Sequence, residues 1–335
     1  MPASGAGRHG GTIAAMLSEF DLIKQYFQRA RPGRAALGIG DDCALLAPTP
    51  GMQLAVSSDM LVEDRHFFAG ADARMLGHKC LAVNLSDLAA MGARPLGFTL
   101  ALALPAAERD WLAAFSAGLF ALADAHECEL VGGDTTKGPF NICITIFGEI
   151  APGHALRRGA ARAGDDIWIS GSLGDARLAL ECYWDKYPLD VAALEQAGTR
   201  MHLPTPRVEL GQALAAGPIA HAAIDISDGL VGDLGHILAA SRVGATLDVD
   251  ALPAGPVLAA QPQEWRRRFC AAGGDDYELC FTAPPQRRAA VEQAARASAT
   301  PVTRVGRIDA EPGLRLVDGN GAALTMALAG FDHFA

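Results

Sequence analysis

Residues 75–104 read MLGHKCLAVNLSDLAAMGARPLGFTLALAL, and their hydrophobic period changes halfway. Up to Met91, the residues Leu81, Leu85, Leu88 and Met91 recur at helical spacing. Beyond Pro95, Leu96, Phe98, Leu100, Leu102 and Leu104 alternate with Gly97, Thr99, Ala101 and Ala103. The first part predicts a helix over 75–91. The second predicts a strand with one face of large residues and one of small ones. Mixing of this kind places the chain in the α/β or α+β class, and the clean alternation favours mixed or antiparallel sheets over a wholly parallel one. One residue breaks the helical pattern: Asp87 puts a carboxylate into an apolar run where it does not help the helix.

Outward from this stretch, Ser18 is placed to cap a short helix carrying Leu22, Ile23, Tyr26 and Phe27. A strand over 54–58 ends at Asp59, a helix covers 111–126, and residues 141–150 alternate again through Ile142, Ile144 and Ile146. The turn-rich, basic segment 151–164 then predicts a domain boundary. Residues 1–17 read as a flexible leader without the apolar core of a secretory signal, 18–150 as an N-terminal domain, and 151–335 as a C-terminal α/β domain. In the second half, strands are expected at 167–170, 222–226, 245–249, 277–282, 302–308 and 314–317. Helices are expected at 173–184, 228–241 and 286–297. The small-residue face of 96–103 and the Ile-rich strand at 142–146 are candidates for a buried interface between copies.

The chain has 335 residues, 28 Lys plus Arg against 38 Asp plus Glu, and a net charge of −10. That sign argues against nucleic acid or an anionic membrane as the main partner, and no apolar run approaches the ~20 residues of a membrane span. The seven cysteines are scattered without a C-x-x-C pair, as expected for reduced thiols in a cytoplasmic protein.

The chemistry lies in where the aspartates fall: Gly38-Ile39-Gly40-Asp41-Asp42, Ser57-Ser58-Asp59, Asn84-Leu85-Ser86-Asp87, Gly132-Gly133-Asp134, Asp225-Ile226-Ser227-Asp228 and Gly273-Gly274-Asp275-Asp276. Each is expected at the end of a strand, the start of a helix or in a short turn, apart from Asp87. A single Gly-Asp is an ordinary turn, and Asp228 is a natural helix cap. If the segments converge, however, two carboxylates ~4 Å apart repel by roughly 4 kcal/mol at an effective dielectric near 20. Bound cations would relieve that repulsion. Ligands that are all oxygen suit Mg²⁺, Mn²⁺ or Ca²⁺ rather than zinc. Magnesium on aspartates points to phosphates, although the sequence contains no G-x-x-x-x-G-K-[ST] loop and no completed G-x-G-x-x-G.

The segments GIGDDCALL, SSDMLVEDRHF, HKCLAVNLSDLAAMGARP, LVGGDTTKGP, IDISDGLVGDLGHI, GGDDYELCF and the terminal GFDHF resemble the thiamine-monophosphate kinase family, in that family's order. This family belongs to the aminoimidazole ribonucleotide synthetase-like superfamily. The resemblance implies a two-domain α/β fold with mixed sheets whose N-terminal domain pairs in a homodimer. It implies transfer of the ATP γ-phosphate to the phosphate of thiamine monophosphate, with several Mg²⁺ ions. Carried over by position, Asp42, Asp87 and Asp225 would share metal ions, and Asp59 and Asp134 would hold another. Ser57, Ser58 and Asp228 would add metal contacts. Gly133, Asp134, Arg158 and Ser227 would touch ATP, and His66, Asp275 and Phe331 would line the thiamine side. Three positions depart from the pattern: Ser58 for Thr, Asp275 for Glu, and Phe331 for a larger or more polar aromatic. No acid or base is implied, because the acceptor is itself a largely deprotonated phosphate oxygen. The alternatives are another ATP-dependent synthetase of the superfamily and a non-catalytic metal- or nucleotide-binding protein.

Overall fold

The computed structural model describes residues 18–29, 33–217 and 219–326. Among the described residues, ten strands form two mixed sheets. The first contains β1 (Gln53–Val62), β2 (Arg94–Leu104), β3 (Glu129–Lys137) and β4 (Asn141–Ile150), in the order β1-β4-β2-β3. Only β2 and β3 are parallel in it. The second contains β5 (Asp166–Ser170), β6 (Ala222–Asp225), β7 (Gly244–Asp248), β8 (Leu279–Ala283), β9 (Val302–Asp309) and β10 (Gly313–Val317), in the order β10-β7-β9-β5-β8-β6. Here β10 and β7 are the parallel pair.

The helices are α1 (Glu19–Leu22), α2 (Ala73–Met91), α3 (Arg109–Ala125), α4 (Asp175–Tyr183), α5 (Val191–His202), α6 (Val208–Ala216), α7 (Leu230–Ser241), α8 (Pro256–Ala259), α9 (Gln263–Ala272) and α10 (Arg288–Ala297). Ser18 does begin α1, its hydroxyl accepting the Asp21 N–H at 3.2 Å. Helix α2 starts at Asp72, whose carboxylate accepts the Met75 N–H at 2.8 Å, and stops at Gly92 with φ 72°.

Helix α2 is buried around nearly its whole circumference, including Lys79, Asn84 and Ser86. On one side it covers the first sheet beside α3, against Phe98, Leu100, Ile144 and Ile146. On the other it meets α6 and β6 of the second half. One apolar cluster therefore runs from Leu81 and Phe115 through to Leu214, Leu279 and Phe281. Each fully buried Leu or Phe in it contributes roughly 1.5–3 kcal/mol. Glycines allow the close crossings. A Cβ on Gly77 would stand 2.1 Å from the Phe115 carbonyl oxygen, and one on Gly211 would stand 2.0 Å from that of Ala89.

Two strand ends differ from the sequence expectation. β1 continues through Asp59, and β3 continues through Gly132-Gly133-Asp134, because each aspartate sits opposite a ladder partner, Ile144 and Ala101 respectively. The pairing outweighs the low strand preference of Asp and Gly. Ile142, Ile144 and Ile146 face the helices and are core, not a surface for a second copy. The sheet's other face is open. On it Leu54, Val56 and Met60 are 48%, 56% and 54% exposed, in the same sheet as the exposed Ala101. Among the described residues, no helix is long and apolar enough to cross a membrane, and the cysteines are unbridged.

Candidate active site

Strand β1 enters the site with alternating sides. Ser57 and Asp59 point toward α2, where Ser57 Oγ–H donates to Asp87 Oδ2. Ser58 points to the open face, where its hydroxyl donates to the Ile144 carbonyl and meets Thr145 Oγ1, both at 3.1 Å. Asn84 of α2 accepts the Asp59 N–H at 3.2 Å and donates to the Cys80 carbonyl, so it ties strand to helix beside the carboxylates. Asp225 ends β6 on the far side of α2, and the Ser86 hydroxyl donates to it at 2.8 Å.

Asp59, Asp87 and Asp225 thus share one cavity of about 270 Å³ with His66, Lys79, Ser227, Asp228, Asp275 and Tyr277. Burial pushes Asp225 up to about 7, and the charges of Asp87, Asp233 and Asp59 push the same way. Burial likewise raises Asp59 to about 7, with the Asp87 charge adding to it. Asp87 is raised by burial against the pull of the Ser57 hydrogen bond and the Arg158 charge. Arg158 belongs to the short helical turn Arg158–Ala160. The three carboxylates resist ionising together, which is the condition that a bound divalent cation relieves.

Among the described residues no three His, Cys, Asp or Glu side chains form a ready-made metal cage. An open set of oxygen ligands, completed by water and substrate phosphate, is the arrangement Mg²⁺ favours. The oxygen-only donors of Asp59, Asp87 and Asp225 are of the chemical kind that suits magnesium.

Asp228 does not cap α7. Its neighbour Asp233 reaches back and accepts the N–H groups of Ser227, Asp228 and Gly229 at 3.1–3.2 Å. Burial and the Asp228 charge raise Asp233 to about 6. Asp228 lines the cavity. His66 Nδ1 accepts the Val62 N–H at 3.0 Å and lines the same cavity.

The remaining expected residues lie elsewhere. Asp42, Gly133 and Asp134 border a second, larger cavity of about 930 Å³, together with Lys24, Thr99 and Phe147. Asp134 shares the open face with Ala101, whereas Asp59 points to the helices. Three strand spacings, ~14 Å, separate β1 from β3. Asp59 and Asp134 stand on opposite edge strands of the first sheet and line different cavities, and Asp42 lines the larger cavity while Asp87 and Asp225 line the smaller. Phe331 lies outside the described residues.

Three further groups stand at the site without having been singled out by the sequence: Lys79, hidden in an apolar helical run; Asp233, whose spacing after the Ser227-Asp228 turn signals a back-reaching cap; and Tyr277 in the Asp275 segment.

The family description "AIR synthase related protein, N-terminal domain" matches residues 40–150, and its C-terminal counterpart matches 162–319. A thiamine-monophosphate kinase of Salmonella typhimurium is 45% identical over 322 residues, covering 95% of this chain and 98% of that protein. The crystal structure of thiamine-monophosphate kinase from Stenotrophomonas maltophilia is 46% identical, covers 90% of this chain and 95% of its own, and superposes with a TM-score of 0.81. AaThiL complexed with AMPPCP and TMP is 26% identical, covers 94% of this chain and 97% of its own, and has a TM-score of 0.74. The motifs, the two mixed sheets and these likenesses along nearly the whole length agree, and the chain belongs to the thiamine-monophosphate kinase family of the AIR synthase-related proteins.

Proposed function

We propose that the protein transfers the γ-phosphate of ATP to the phosphate of thiamine monophosphate, giving thiamine diphosphate. The observation that carries the reading is the trio Asp59, Asp87 and Asp225: one buried and two half-buried carboxylates around one cavity, each raised by desolvation. Magnesium, when bound, supplies charge neutralisation between two anionic phosphates. The chain's own residues do the positioning. Ser57 orients Asp87, Ser86 orients Asp225, and Asp233 holds the turn that presents Ser227 and Asp228. The attacking atom is a phosphate oxygen already deprotonated near neutral pH, so none of these carboxylates has to remove a proton.

Asp42, Ser58, Gly133 and Asp134 act in this reading from the open face of the first sheet, as metal and nucleotide contacts. That face also motivates a homodimer. Leu54, Val56 and Met60 form an exposed apolar strip beside them, and a second copy laid over it would remove the strip from water. The two functional units divide within 151–161, and the free thiols fit a reducing cytoplasm. Incubation with ATP, Mg²⁺ and thiamine monophosphate, followed by chromatography, should yield thiamine diphosphate. ADP release without it would refute the assignment of the acceptor.

A further inference from the structure

Lys79, Val83 and Asp87 follow one another at i, i+4 and i+8 on α2, and all three line the 270 Å³ cavity. Eight residues of helix span about 12 Å, so Lys79 stands at the other end of the cavity from the aspartate trio. Lys79 is 3% exposed. A buried ammonium is costly unless paired, and its partner is Asp275, with Nζ 2.9 Å from Oδ2. The Asp275 side chain remains 28% exposed and borders the cavity. Tyr277 lines the same cavity, and the Asp275 charge is among the causes that hold its phenol proton on.

The backbone here is bent to deliver that carboxylate. Asp275 has φ 69° and Tyr277 φ 49°, the left-handed region that non-glycine residues avoid. The Asp275 N–H donates to the Ser227 carbonyl and the Tyr277 N–H to that of Ile226, both at 2.8 Å, which holds the bend against the nucleotide-side turn. A buried ion pair is a poor device for stability alone. Combined with left-handed backbone at a cavity wall, it is a device for aiming.

Resting on the acceptor assignment above, we propose that Lys79 is a positioning residue. Together with Tyr277 it fixes the Asp275 carboxylate as the counter-charge for a positively charged heteroaromatic ring. The acceptor's phosphate then lies at the Asp87 end of α2 and its ring end toward Lys79. The test uses the full chain with Mg²⁺ and two acceptors: thiamine monophosphate and its neutral analogue, in which a thiophene replaces the thiazolium ring. Lys79→Met should raise the KM for thiamine monophosphate by about 10-fold or more, with kcat and the ATP KM within about 3-fold. It should also erase most of the wild-type preference for the charged acceptor. The double variant Lys79→Met/Asp275→Asn should be no worse than the poorer single variant, since both act through one carboxylate. Equal KM increases for both substrates, additive losses, or a lower melting temperature with unchanged kinetics would overturn the proposal. If Lys79→Met does not fold, Tyr277→Phe decides. It should raise the acceptor KM alone, by roughly 3-fold or more, and an unchanged acceptor KM would overturn the proposal. Failure of the wild type to phosphorylate thiamine monophosphate would refute the acceptor assignment itself, a separate result.

Discussion

Replacing Asp225 with Asn should make the metal-free protein more stable while disabling it. In the folded state the Asp225 carboxyl is held near 7 by burial and by its acidic neighbours, against an ordinary value of 3.8. Between those values the folded state keeps a proton that the unfolded chain has lost. Stability therefore falls as pH rises from about 4 to 7, by as much as ~4 kcal/mol for a shift of ~3 units. Asn carries no charge and retains an oxygen for the Ser86 hydroxyl, 2.8 Å away in the parent protein. At pH 8 in EDTA the variant should therefore gain ~2 kcal/mol or more, which is ~3 °C in melting temperature for a chain of this size. At pH 5 the difference should shrink to about a third of that at pH 8. Added Mg²⁺ should stabilise the parent protein more than the variant, since binding to the native state alone raises stability. Calorimetry at pH 5 and 8, with and without Mg²⁺, measures all four values. Turnover should meanwhile fall at least ~100-fold, or ~2.7 kcal/mol of barrier. A variant less stable than the parent at pH 8 in EDTA, or a difference that ignores pH, would show that the trio carries no mutual strain.

Turnover should disappear in EDTA and return with Mg²⁺ or Mn²⁺; full activity in metal-free buffer would remove the cation from the mechanism. Val56→Lys, on the 56%-exposed open face of β1, should shift sedimentation from dimer to monomer with little loss of melting temperature; an unchanged sedimentation coefficient would put the interface elsewhere. Asp233→Ala strands the three N–H groups of Ser227, Asp228 and Gly229, so it should cost about 2–3 kcal/mol in urea unfolding and raise the ATP KM. Phe331→Ala should weaken thiamine monophosphate binding by roughly 1–2 kcal/mol with little effect on ATP, read by titration calorimetry.

Where one period dominates, sequence and structure coincide: the alternation over 141–150 is β4, residue for residue. Helices α5, α6 and α9 escaped even though α5 and α9 each carry an apolar stripe at helical spacing. α9 carries Arg266, Arg267 and Arg268 in a row, and only α5 begins with a side-chain cap, Asp190. The carboxylates were legible as chemistry but not as a group. Strand parity alone places Ser57 and Asp59 on one side and Ser58 on the other, and that clue lies in the sequence itself. The meeting of Asp59 and Asp87 with Asp225 depends on a helix packed between two sheets, which no local pattern encodes. Lys79 is hidden for the same reason, since its partner lies 196 positions away.

Because the apolar cluster around α2 continues into Leu210, Leu214, Leu279, Phe281 and Val291 of the second half, the sequence boundary at 151–164 does not divide the molecule energetically. Opening either half strips one side of α2 and exposes Leu81, Leu85 and Leu88 to water. Unfolding is therefore expected to be a single cooperative event, and the amides along the middle of α2 should exchange with deuterated solvent only when the entire molecule opens. Separately expressed halves would each lack a wall of their own interior. Slow exchange in this helix, and matching protection in β4 and β6 on its two sides, would be the thermodynamic signature of a two-sheet protein that stands or falls as one.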